Sequence, residues 1–62
     1  MEERLLTTAE IAEYLSVTDQ TVRRWVKDRE LPAFKLGREL RVKESDLERF
    51  LESRRVQGGE DE

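Results

Sequence analysis

Neither cysteine nor histidine occurs anywhere in these 62 residues, and that absence constrains the fold more than any motif does. A domain this short hides only about 60% of the surface its unfolded chain exposes. Chains of this size commonly lean on disulfides or a structural metal. Here no bridge can form, and both of the usual zinc ligands are missing. Side-chain packing alone must hold a single domain, predicted over residues 1–55, from a chain that is 35% apolar. No apolar run reaches the roughly 20 residues of a membrane span. Met1-Glu2-Glu3-Arg4 lacks a signal-peptide pattern, so a cytoplasmic chain is expected.

Local signals divide that domain into short elements. Thr7 precedes Ala9-Glu10 in the spacing of a capping box, so a first helix starts there and carries Ile11, Ala12 and Leu15 inward. Ser16-Val17 interrupts it, and Thr18 can cap a second helix whose apolar face is Val22, Trp25 and Val26. Two helices joined by about three residues make a helix-turn-helix. Trp25 is expected to be the knob packed on the first helix, and Tyr14 either packs at the rim or touches phosphate. Pro32 is expected to close the second helix at Glu30-Leu31-Pro32. Ala33–Leu36 and Leu40–Lys43 then alternate apolar and basic residues around a loop, Gly37-Arg38-Glu39. That pattern predicts a two-stranded antiparallel wing with Phe34, Leu36, Leu40 and Val42 facing the core. A third helix follows, with Leu47, Phe50 and Leu51 as its stripe and Arg49 within reach of Asp46 and Glu52. The class is mainly α with a small β-hairpin. Residues 56–62, with two glycines and three acids, are expected to form a disordered acidic tail.

Charge is unevenly spread. Net charge is −3 and 44% of residues are charged, against an ordinary quarter. Yet between Thr21 and Lys43 stand Arg23, Arg24, Lys27, Arg29, Lys35, Arg38, Arg41 and Lys43, opposed only by Asp28, Glu30 and Glu39. A basic middle between acidic ends points to a polyanionic partner, double-stranded DNA. Gln20, Arg24 and Lys27 lie opposite the apolar face of the second helix, flanked by Thr21 and Arg23 and preceded by Thr18. Long polar donors at the start of a well-anchored helix suit base edges in the major groove. The alternative is a solvated face on a charged protein. Arg38 at the wing tip is placed to enter a minor groove or grip phosphate. Lys35 and Arg41 are either phosphate positioners or simply solvated. Asp19 either stabilises the helix dipole or accepts from a cytosine amino group. Five phosphate contacts, from Arg23, Lys27, Lys35, Arg38 and Arg41, set a salt slope near −4.5.

No glycine-rich phosphate loop, nucleophile motif or metal-ligand cluster appears, so neither catalysis nor a cofactor is expected. The sequence resembles the MerR-type winged helix-turn-helix of excisionases and related small regulators. The likeness rests on Leu6-Thr7-Thr8-Ala9-Glu10-Ile11-Ala12, Thr21-Val22-Arg23-Arg24-Trp25, Glu30-Leu31-Pro32-Ala33, the basic hairpin and Asp46-Leu47. It implies DNA binding, with the second helix in the major groove and the wing on backbone or minor groove. The chain departs from the pattern in carrying Asp19 where relatives often place a base. Lys43 stands where the last helix often has a Ser or Thr cap, which moves its expected start toward Ser45. No long dimerisation helix or effector domain follows, so no small-molecule effector is expected. The leading expectation is a sequence-selective, nucleoid-associated transcription regulator or excision factor, self-associating on repeated DNA sites. Its rivals are a protein-interaction adaptor on the same fold and the targeting module of a recombinase. The tail acids Glu60-Asp61-Glu62 are further expected to compete with DNA for the basic face.

Overall fold

In the computed structural model, which describes residues 3–56, the order is β1 (Leu5–Thr7), α1 (Thr8–Leu15), α2 (Asp19–Lys27), β2 (Phe34–Leu36), β3 (Glu39–Lys43) and α3 (Glu44–Ser53). The expected tail lies outside these residues except for Val56, which is exposed. Three helices and an antiparallel sheet match the predicted class with one addition. The sheet has three strands in the order β1-β3-β2, because Leu5–Thr7 pairs along β3. Three residues carry too little alternation to announce a strand, and their partners lie more than thirty residues away.

The caps at the first two helices are as the sequence predicts. Thr7 Oγ1 accepts from the Glu10 amide at 3.0 Å, and Glu10 Oε1 accepts from the Thr7 amide at 2.9 Å. Thr18 Oγ1 accepts from the Thr21 amide at 3.1 Å. Between them Ser16 adopts left-handed geometry (φ 60°), with Val17 N donating to Ala12 O and Ser16 N to Glu13 O. These are the two bonds of a Schellman motif, which turns the chain sharply from α1 into α2. The same motif, rather than Pro32, ends α2. Arg29 is left-handed (φ 63°), and Glu30 N and Arg29 N donate back to Trp25 O and Val26 O. The helix therefore stops at Lys27, earlier than the proline implied, and frees Leu31 to drop into the core.

That core is Ile11, Ala12, Val22, Leu31, Val42, Leu47 and Phe50, with Leu6, Leu15, Trp25, Val26 and Leu51 packed around it. Trp25 packs against this core, which includes Ile11 and Ala12 of α1, and also reaches α3. Its ring lies 4.8 Å from that of Phe50 on α3, tilted by 47°, and the Arg54 guanidinium covers both rings. Arg54 also pairs with Glu30. Of Arg49's two candidate partners it takes Asp46 at 3.4 Å, and Glu52 pairs instead with Arg55.

α3 begins at Glu44 rather than Ser45. Its N-cap, Lys43, supplies no side-chain bond. The cap comes from far away: Glu3 Oε2 accepts from the Ser45 amide at 2.7 Å. Each helix thus has a carboxylate at its positive end, and each carboxyl is held below its ordinary value. For Glu3 the main cause is the Ser45 hydroxyl and then its amide, for Glu10 the Thr7 amide, and for Asp19 the Arg23 guanidinium followed by the Thr8 hydroxyl. A depressed folded-state pKa gives stability that is complete above the unfolded value and lost as pH falls through the folded one. The melting temperature should be level above about pH 5 and should fall as pH drops below the ordinary Glu value of 4.5 and onward past the Asp value of 3.8. Thermal melts across this range test it, and Glu3→Gln with Glu10→Gln should flatten the acid limb.

Candidate nucleic-acid interface

The second helix presents the residues expected of it. Its inner side is pinned by Val22, which is fully buried, and by Trp25 and Val26. Gln20, Arg24 and Lys27 are exposed on the outer side. At its start the Thr18 and Thr21 hydroxyls share a hydrogen bond of 2.8 Å, so the cap is tied to the first exposed turn. Arg23 is held differently. Its Nε donates to Asp19 Oδ2 at 2.6 Å, while its terminal nitrogens make no hydrogen bond among the described residues. Asp19 therefore acts as a clamp as well as a dipole partner. Its other oxygen, Oδ1, is buried without a hydrogen-bond partner among the described residues.

Arg23 also lines a groove between α2 and the wing, together with Thr7, Thr8, Ala9, Asp19, Glu39 and Leu40. Leu40 lines this groove, and the residue opposite it across the hairpin, Lys35, lies on the same face of the sheet as Leu40 and the buried Val42. Arg41 is paired instead with Phe34 and Thr7, and Lys43 with Leu5, on the other face of the sheet.

The predicted wing had Phe34, Leu36, Leu40 and Val42 on one side and Lys35, Arg41 and Lys43 on the other. The register corrects this. Leu36 pairs with Glu39, so the loop is only Gly37-Arg38, one residue shorter than expected. Gly37 takes φ 65° while Arg38 does not have positive φ, the pattern of a type II′ turn. Shortening the loop by one residue moves one strand's side chains to the opposite face. Phe34 and Leu36 are consequently 44% and 50% exposed, sharing a surface with Glu39, Arg41 and Lys43. Lys43 sits 5.6 Å from the Phe34 ring centre, and Arg41 donates to Glu39 at 2.6 Å. Of the proposed contact residues, the fold gathers Gln20, Thr21, Arg23, Arg24 and Lys27 on α2 with Thr18 at its N-cap, and it puts Lys35 on the Leu40 face of the wing and Arg38 in its turn. Arg41 stands apart.

The ion pairs sort the cations further. Arg4, Arg23, Arg41, Arg49, Arg54 and Arg55 each have a carboxylate partner. Arg24, Lys27, Arg29, Lys35, Arg38 and Lys43 have none among the described residues, and all of them fall between positions 24 and 43. Sequence reasoning singled out four of these six. Arg29 was passed over, although a non-glycine residue holding left-handed geometry at a helix end is unusual.

Two helices joined by a tight Schellman turn, with a basic hairpin beside the second, define a helix-turn-helix DNA-binding domain. A family model described as "Helix-turn-helix domain" matches residues 5–55, and the chain belongs to that family. No curated protein and no solved structure matches it significantly. No helix among the described residues is long and apolar enough to cross a membrane.

Proposed function

We propose that this domain is a sequence-selective, MerR-type binder of double-stranded DNA, acting in the nucleoid as a transcription regulator or an excisionase-like recombination factor, without catalysis or an effector of its own. The observation that carries the reading is the concentration of unpaired cations in one segment while cations elsewhere are neutralised by partners. Gln20, Thr21 and Arg24 approach base edges from the start and outer side of α2, with Thr18 fixing that turn. Arg23, Lys27, Lys35 and Arg38 hold phosphates. Arg41, bonded to Glu39 on the far face, braces the wing.

Removing Arg41 leaves four phosphate contacts, so log affinity against log salt should have a slope of about −3.6 rather than −4.5. Titrating fluorescent duplex at several salt concentrations measures it, and a slope near zero would refute the reading. A single module of this kind covers roughly 600–1,000 Å² on DNA. One copy therefore binds weakly, and self-association on repeated sites raises occupancy. Selection of bound duplexes from a random pool tests selectivity directly.

A further inference from the structure

Away from the basic face, α1, α3 and β1 enclose a groove of about 400 Å³. Its floor is Leu6, Ile11, Leu47 and Leu51, and the Tyr14 ring, 74% exposed, stands at its lip. Around the rim are Glu10, Glu44 and Glu48, with Arg4 the sole cation lining it. Arg4 is already taken by Glu10 at 3.4 Å, whereas Glu44 and Glu48, one turn apart on α3, have no ion-pair partner among the described residues. The rim is therefore net acidic, whereas the unpaired basic side chains among the described residues all lie in the 24–43 segment. None of the residues assigned to DNA lines this groove.

From this we infer a docking site for a cationic amphipathic helix of a partner protein. The shape is that of two helices offering a channel to a third, which lays apolar anchors spaced at i, i+3, i+4 against the floor. The charge selects the occupant: lysines or arginines flanking those anchors meet Glu44 and Glu48, and an acidic helix is repelled. A second copy of this chain is a poorer occupant. Its unpaired cations sit on α2, whose apolar face is already packed in its own core, on the turn after α2 and on the wing, and Arg54 and Arg55 are tied to their own carboxylates. The inference does not depend on the DNA reading, and peptide binding is measured without DNA.

The probe is a 14-residue helical peptide of leucine and lysine, titrated into the full ¹⁵N-labelled chain. Saturable shifts should centre on the amides of Glu10, Tyr14, Glu44, Glu48 and Leu51. Replacing the peptide's leucines with serine should weaken binding by about tenfold or more, because anchor burial supplies most of the affinity. The glutamate version of the peptide should not bind. In the protein, Glu44→Gln with Glu48→Gln should weaken binding about three- to tenfold while circular dichroism remains that of the folded chain. Leu51→Ser supplies a second variant that removes floor rather than charge, and should also weaken binding. Shifts centred on Phe34 and Leu36, or equal binding by the leucine-free peptide, would overturn the assignment. Concentration-dependent shifts at the groove without peptide would give the site to a second copy and overturn it as well.

Discussion

Replacing Trp25 with alanine is expected to cost about 3 kcal/mol or more, the range for losing a large aromatic from a packed site. A 62-residue domain holds roughly 3–9 kcal/mol in all, at about 0.05–0.15 kcal/mol per residue. The substitution thus removes between a third and all of the folding free energy. The indole is where α2 meets α3: it stacks on Phe50 at 4.8 Å and lies under Arg54, whose other hand is on Glu30. Nothing covalent stands in reserve, since the chain has no cysteine. In a thermal melt the midpoint should fall by at least about 12 °C, at 4–8 °C per kcal/mol for domains of this size. Arg54→Ala is the milder companion, expected to cost about 1 kcal/mol or less because the pair it breaks is exposed. A Trp25→Ala protein melting within a few degrees of the parent would mean that the α2–α3 contact is dispensable.

Charge reversal in the wing should separate its two faces. Lys35→Glu is expected to weaken DNA binding by on the order of tenfold or more, and to reduce the salt slope by about one unit. Arg41→Glu is expected to weaken it by less than about threefold and to leave the slope unchanged. The two variants alter net charge equally, so long-range repulsion contributes the same to both. Any difference belongs to position. Fluorescence anisotropy on one duplex at two salt concentrations provides the comparison, and equal losses would show that both faces of the sheet meet DNA.

Those two residues also show what could and could not be read in advance. The helices were legible because their signals are local: Thr7 with Glu10, Thr18 with Thr21, and apolar residues every three or four positions. The hairpin was legible as a hairpin, but not in its facing. Alternation of apolar and basic residues is satisfied whether the loop holds two residues or three, and the choice decides whether Phe34 and Leu36 go in or out. Only the register, Leu36 against Glu39, settles it. Leu31 was hidden by its neighbour Pro32, which suggested a loop where the chain in fact dives inward. β1 and the Glu3 contact were invisible because their partners stand at the far end of the sequence. In the candidate interface, the residues of α2 were recoverable from helical periodicity, whereas the separation of Lys35 from Arg41 was not.

The bond from Glu3 to Ser45 has a consequence for the order of assembly. It joins residues 42 apart, and contacts of such long range form late because a wide loop must close first. During synthesis the acceptor emerges first and waits until its donor follows 42 residues later. α3 should consequently be the most readily frayed at its start, and amide exchange at Ser45 would time the moment when the two segments lock.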